Sequence, residues 1–391
     1  MPKAHATLSP SAAARWINCP GSVRISAELP PAPSSTYADE GTLAHKIAEN
    51  KVLLASDEIT KKFYEASLKN ALKSEYWCGE MDEATSFYAE EVTITHLRLL
   101  KDDPAAVLMA EQRIDLSEWI PGGFGTSDAI VIGGGEIHVF DLKYGKGVKV
   151  EAKGNPQLRL YGLGSAALFD GLYDFNTVVL HIIQPRLDHV SEERIPLEEL
   201  GAWGHDVVVP AAKEASEGSE RTKAGDWCRF CPVRSICRTR SEENLELAKY
   251  DFKKPPLLTP EEIGEVMALA DRLVAWVKDV EDYALQKAIE GEHFEGWKLV
   301  EGRANRKYAD EDKVAKALVE AGYSKEMLYE KKLLTITAME KLVGKKAFSE
   351  LLEGDKGLVI KPAGKPVLVP STDKREELNT AKAAADDFSG E

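Results

Sequence analysis

Two aspartates and a lysine, Asp128, Asp141 and Lys143, have the types and spacing needed for phosphodiester chemistry. They fall in GTSDAIVIGGGEIHVFDLK, which reads as two strands joined by a glycine-rich turn. Lys143 follows Asp141 by two, so both side chains leave the same face of their strand. Carboxylates and an ammonium gathered on one sheet face are costly to bury unless they hold a metal or a phosphate. A hard divalent cation suits such oxygen ligands, and Mg²⁺ keeps several waters beside one or two carboxylates. Held there, Mg²⁺ or Mn²⁺ polarises a phosphate and acidifies a bound water. A neighbouring lysine orients that water and offsets transition-state charge. The carbonyl of Leu142, between Asp141 and Lys143, is a further candidate ligand.

A second group is made of sulfur. Cys228, Cys231 and Cys237 lie in WCRFCPVRSIC, and a distant Cys19 lies in WINCPGS, outside any apolar run. Five cysteines are a poor disulfide framework for 391 residues and a good metal or cluster site in a reducing compartment. Four thiolates suit zinc or an iron–sulfur cluster. The remaining Cys78 reads as a buried apolar residue.

These groups must be positioned by the rest of the chain. Residues 8–20 read as a short capped helix that ends near Cys19, followed by a proline-rich loop. ADEGTLAHKIAENKVLLA reads as an amphipathic helix carrying His45. Residues 58–100 have a helical pattern, with Trp77, Phe87, Tyr88 and Leu97 as core candidates. Strands are expected at VLMAEQRIDL, GTSDAIVI, EIHVFDLKYG and FNTVVLHIIQPR, with a helix after Pro156 between the last two. That order specifies an α/β core and not a sandwich. Residues 195–217 read as helical. After a proline linker, Thr259-Pro260-Glu261-Glu262 forms a capping box that starts a long helix ending near Gly291. A basic hairpin and two short helices are expected beyond it. The domain division that follows is a helical part at 1–105, a core with the cysteine cluster at 106–245, a mainly helical domain at 255–375 and a flexible tail at 376–391.

Taken singly, each polar residue has a plainer reading as an ion pair, a capped histidine or a helix surface. Their order is more specific. Glu40-Gly41-Thr42-x-x-His45, Gly125-x-x-Asp128, Asp141-x-Lys143 and Gln157-x-x-x-Tyr161 follow one another as in the RecB-like branch of the PD-(D/E)xK nucleases, which this chain resembles. The resemblance implies a restriction-endonuclease-like core, a mixed central sheet flanked by helices. It implies that His45, Asp128 and Asp141 bind the metal and that Lys143 is the catalytic lysine. By the same likeness, Gln157 and Tyr161 contact DNA or orient the lysine, and Glu111 matches an acid at the sheet edge. Cys19 with the three clustered cysteines resembles the 4Fe–4S clasp of that branch, zinc being the alternative. The C-terminal text, from GWKLVEGRANRKYA to KPAGKPVLVPSTDKRE, resembles phage and prophage proteins grouped as a domain of unknown function with a RecB-like core. It implies a phage-encoded exonuclease in recombination, repair or replication, working beside a single-strand annealing or binding protein. A catalytically inactive module that grips DNA ends or a partner is the rival reading.

Composition bounds these expectations. A net charge of −15 argues against coating nucleic acid by bulk attraction. Local basic stretches remain: Lys146 and Lys149 after the catalytic strand, and Arg303 and Arg306 beside aromatics further on, are candidate DNA contacts. No apolar run approaches a membrane span, and the N-terminus lacks the apolar core of a signal peptide, so a cytoplasmic location is expected.

Overall fold

The computed structural model describes residues 6–29, 36–246 and 259–298, then 300, 311–321, 324, 328–329, 335–352 and 358–359. The chain divides into two compact units, Met1–Lys287 and Ala288–Glu391. The first begins with helices α1 (Ala13–Asn18), α2 (Gly21–Ala27), α3 (Thr36–Ala55), α4 (Lys61–Ala71) and α5 (Gly79–Asp102). Strands β1 (Val107–Asp115), β2 (Phe124–Gly133) and β3 (Glu136–Leu142) follow, then α6 (Pro156–Phe169), β4 (Thr177–Gln184) and β5 (His189–Pro196). Next come α7 (Leu197–Trp203), a π-helical turn at Gly204–Val208, α8 (Val209–Ser216), α9 (Arg238–Leu245) and the long α10 (Pro260–Ile289). The second unit contains α11 (Glu311–Glu320), α12 (Ile336–Val343) and α13 (Lys345–Leu352).

The strands form one mixed sheet in the order β1-β2-β3-β4-β5. All neighbours are antiparallel except β3 and β4. A parallel pair needs a long crossover, and α6 supplies it. The fold is therefore the mixed α/β sheet flanked by helices that the sequence implied. β3 and β4 are buried along almost their whole length, which is why they read as apolar runs. Ile130, Ile132, Val139, Leu180 and Ile182 face α6 through Leu158 and Leu163. On the other face Ala129, Val131, Phe140 and Leu142 meet Ala48 and Val52 of α3 and Tyr88 and Val92 of α5. Gly134 and Gly135, at φ +59° and +80°, make the two-residue turn between β2 and β3. Positive φ at both positions makes the primed type of turn whose twist matches that of the strands it joins. This turn sets the β2–β3 register.

Several expectations are corrected. The proline-rich loop is preceded by a second short helix, α2. Phe87 and Leu97 are exposed (38% and 54%), because α5 turns Met81, Ala84, Tyr88 and Val92 inward instead. β5 was missed because its inward side chains are mostly polar. His189, Ser191 and Glu193 bind the segment before α6: His189 at the carbonyl of Val150, Ser191 at the amide of Ala152 and Glu193 at the amide of Gly154. Three short helices follow α10 among the described residues, not two. The capping box is present: Thr259 Oγ1 accepts from the Glu262 amide at 3.3 Å, and Glu262 Oε2 from the Thr259 amide at 3.1 Å. The two compact units divide between Lys287 and Ala288, in the last turn of α10. Asp279 of α10 pairs with Arg234 and Arg240, and Arg272 with Glu243, which ties the helix to the first unit. The basic hairpin from residue 301 on and the tail at 376–391 lie outside the described residues.

Candidate active site

Sheet register places three carboxylates in one row. Ala110 pairs with Ala129 and Gln112 with Ser127, so Glu111 lies opposite Asp128. Ala129 pairs with Phe140, which sets Asp128 opposite Asp141. Like charges directly across neighbouring strands repel, so the row gains from a cation. Glu111 also has φ +50°, in the left-handed region that residues other than glycine rarely occupy. Strain of this kind gathers at catalytic and ligand sites, where surrounding structure imposes it.

α3 brings His45 to the row, with Nδ1 3.3 Å from Asp128 Oδ1. Ligand atoms of His45, Glu111 and Asp128 all lie within 4.8 Å of one another. The other oxygen of Asp128 accepts the Leu142 amide at 2.8 Å. In an extended residue the carbonyl points the same way as the N–H, so that of Leu142 faces the Asp128 side, as a ligand there must.

Asp141 is engaged differently. Oδ1 accepts from Gln157 Nε2 at 3.0 Å, and Oδ2 lies 2.7 Å from Lys143 Nζ. Lys143 in turn donates to Gln157 Oε1 at 3.0 Å. Asp141, Lys143 and Gln157 therefore close a triangle, while Glu111 joins His45 and Asp128 in the compact metal-sized group. The sequence had expected Asp141 in that group and left Glu111 at its margin. Gln157 sits in the first turn of α6, where Asn155 caps the amides of Gln157 and Leu158. Tyr161, one turn on, is buried beneath it. A Cβ at position 125 would stand 2.7 Å from Tyr161 Cε1, so only glycine lets that ring cross β2.

The electrostatics agree with a site built for positive charge. Burial pulls His45 down, but Asp128 and Asp141 outweigh it and carry its pKa up to about 9. Burial likewise works against the Lys143 ammonium, and Asp141 beside it more than compensates, so the lysine stays charged. Burial and the neighbouring Asp128 and Glu49 push Glu111 up to about 7. For both bases, burial alone would do the opposite; a surplus of carboxylates decides the direction. Glu49 follows His45 by four on α3 and was not singled out from sequence, although that spacing puts both on one helix face.

The site opens into a cleft of about 1160 Å³ whose walls include His45, Lys143, Gln157, Tyr144, Lys146 and Arg186. Lys146 Nζ lies 2.6 Å from Glu80. Arg186 spans Glu40 at 3.1 Å and Glu80 at 3.0 Å and stacks 4.5 Å above the Tyr144 ring. Sequence reasoning missed Arg186, although it follows the carboxyl end of a central strand, where α/β sheets bind ligands. Lys149 pairs with Glu151 at 3.0 Å, and its chain neighbours Val148 and Val150 line the cleft. Arg303 and Arg306 lie outside the described residues.

Cys19, Cys228, Cys231 and Cys237 line a single cavity. Burial raises the thiols of Cys228 and Cys231. The Lys223 amide donates to Cys19 Sγ at 3.3 Å. Among the described residues, no three of these sulfurs lie within 4.8 Å of one another. Tetrahedral zinc, with Zn–S near 2.3 Å, would space them at about 3.8 Å.

Among the described residues no helix is long and apolar enough to cross a membrane. Among solved structures, the chain is similar to one described as "Crystal structure of SSO0001", at 19% identity and a TM-score of 0.20, over 49% of this chain and 85% of that one. A family model described as "Protein of unknown function (DUF2800)" matches residues 5–376, nearly the whole chain, which therefore belongs to the DUF2800 family.

Proposed function

We propose that the protein is a metal-dependent deoxyribonuclease, an exonuclease of RecB-like PD-(D/E)xK type. The observation that carries this reading is the carboxylate row Glu111–Asp128–Asp141, joined by His45 on one side and by Lys143 with Gln157 on the other. The element order β1-β2-β3-α6-β4 supports the restriction-endonuclease-like core. His45, Glu111, Asp128 and the Leu142 carbonyl would hold Mg²⁺ or Mn²⁺. That ion would supply Lewis-acid polarisation of the phosphate and a more acidic water. The chain's own groups do the rest. An ammonium has three protons; Lys143 donates one to Gln157, pairs ionically with Asp141 and lies in the wall of the cleft. There it orients the attacking water or meets a phosphate oxygen as the ester bond breaks. Gln157 holds Lys143 and Asp141 in a fixed relation, so neither must reorganise during reaction.

The four-cysteine cavity supports a structural metal centre. By the family resemblance it would be a 4Fe–4S cluster, with zinc as the alternative, and would tie Cys19 to the segment at 228–237. By the phage resemblance, the partner is DNA together with a single-strand annealing or binding protein.

The test is anaerobic purification followed by cleavage assays on single-stranded and duplex DNA with Mg²⁺ or Mn²⁺, for wild type and Lys143→Ala. Wild type should cut and the variant should lose at least about a hundredfold in rate, the scale seen when one charge-stabilising donor is removed. No cleavage by wild type, or equal cleavage by both, overturns the reading. A protein carrying zinc and no iron overturns the cluster assignment alone.

A further inference from the structure

We propose that Tyr37 and Phe230 are base-stacking residues at the rim of the cleft, so that the cysteine turn carrying Phe230 contacts the substrate. The inference rests on the cleft being a DNA site. The two rings are among the most exposed aromatics of the first unit, at 83% and 77%, and both wall the cleft that holds His45 and Lys143. Their place in the cleft wall, more than exposure alone, leaves the ring faces open to a planar partner.

Each ring is presented by its backbone. Tyr37 stands at the start of α3, eight residues before His45, about 12 Å along the helix at 1.5 Å per residue. That is the span of a few nucleotides from the carboxylate row. Phe230 lies in the 3₁₀ turn Asp226–Phe230, between Cys228 and Cys231. Both cysteines are buried, and the turn is closed by Cys228 N–H to the Gly225 carbonyl at 2.9 Å and Cys231 N–H to the Cys228 carbonyl at 3.1 Å. With the sulfurs turned inward, Phe230 is turned out.

Charge makes stacking necessary. The cleft's other cations are already paired: Lys146 with Glu80, Arg186 with Glu40 and Glu80, and Arg234 with Asp279. A net charge of −15 adds long-range repulsion. Phosphate contacts alone would give weak, salt-sensitive binding. Rings that stack on bases add affinity that depends less on salt, and only unpaired bases offer them a free face.

The test is fluorescence anisotropy on the full chain in EDTA, with oligothymidine and an abasic strand of equal length. Tyr37→Ala and Phe230→Ala should each weaken oligothymidine binding roughly five- to a hundredfold, leave abasic binding unchanged, and Phe230→Trp should restore it. Unchanged oligothymidine binding by both alanine variants, or equal loss on the abasic strand, overturns the proposal. The outcomes separate from catalysis. Base-dependent binding without cleavage in Mn²⁺ leaves stacking standing and removes the nuclease reading. Cleavage with no effect of either ring does the reverse.

Discussion

At the scale of single residues, Gln157 has two tasks that its sequence position only hinted at. Its amide accepts from Lys143 and donates to Asp141, both at 3.0 Å. Gln157→Ala should leave the lysine and the acid in place but free to rotate. The expected outcome in steady-state cleavage is a kcat about ten- to a hundredfold lower with little change in KM, because positioning and not ground-state binding is lost. A change confined to KM would assign Gln157 to DNA contact instead. His45 gives a second prediction. An imidazole among carboxylates suits Mn²⁺ better than the harder Mg²⁺. Calorimetric titration should therefore show tighter Mn²⁺ binding, and His45→Ala should narrow the gap between the two ions.

At the scale of elements, the sequence was most legible where local pattern and packing agree. β2, β3, β4 and α6 were all expected, because continuous apolar runs and a proline at the start of a helix survive without knowledge of neighbours. The row that makes the site was only half legible. The spacing Asp141-x-Lys143 needs one strand, but the placing of Glu111 opposite Asp128 needs the β1–β2 register, which no local pattern encodes. β5 was illegible for the opposite reason: its inward residues serve the loop before α6, not the core.

β3 and β4 also carry a buried polar pair that a sequence cannot announce. His138 Nδ1 lies 3.0 Å from His181 Nε2, and the rings stack beside Phe140. Glu136 at 3.0 Å and Glu192 at 3.7 Å flank the pair, with Arg194 of β5 and Arg98 of α5 nearby. Burial is the main cause that pushes both histidines below the ordinary value, reinforced by the two arginines. Unfolded, each would titrate near 6.5. The unfolded chain therefore binds more protons below that pH, and stability contributed by the neutral pair falls as pH drops from about 6.5 toward 5. Metal-free His45 acts on the other side: its pKa of about 9 gives stability present below pH 6.5 and lost as pH rises through 9. Guanidinium midpoints of the metal-free protein should peak near neutrality. Replacing His138 and His181 together by Phe should flatten the limb between pH 6.5 and 5. An unchanged limb would place the acid sensitivity elsewhere.

At the scale of the whole molecule, the question is what the cysteine cavity holds together. One candidate is the helix that delivers His45 to the carboxylates, through Cys19 of the preceding segment. α3 has its own anchorage: Ala44, Ile47, Ala48 and Val52 are buried against α5 and the sheet. The cavity instead joins the end of α1 to the turn at Asp226–Phe230 and to α9, whose Arg240 reaches Asp279 of α10. On the proposed cluster, Cys19→Ser should lower Tm, since it would release a loop of about two hundred residues that such a centre closes. It should weaken single-strand binding, because Phe230 loses its fixed turn. Mn²⁺ affinity, measured by calorimetry on the folded variant, should stay within about twofold of wild type, the tolerance expected of sites that share no partners. If Mn²⁺ affinity collapses together with DNA binding, the sulfur centre positions α3 after all, and the packing of α3 on α5 is not sufficient to place His45.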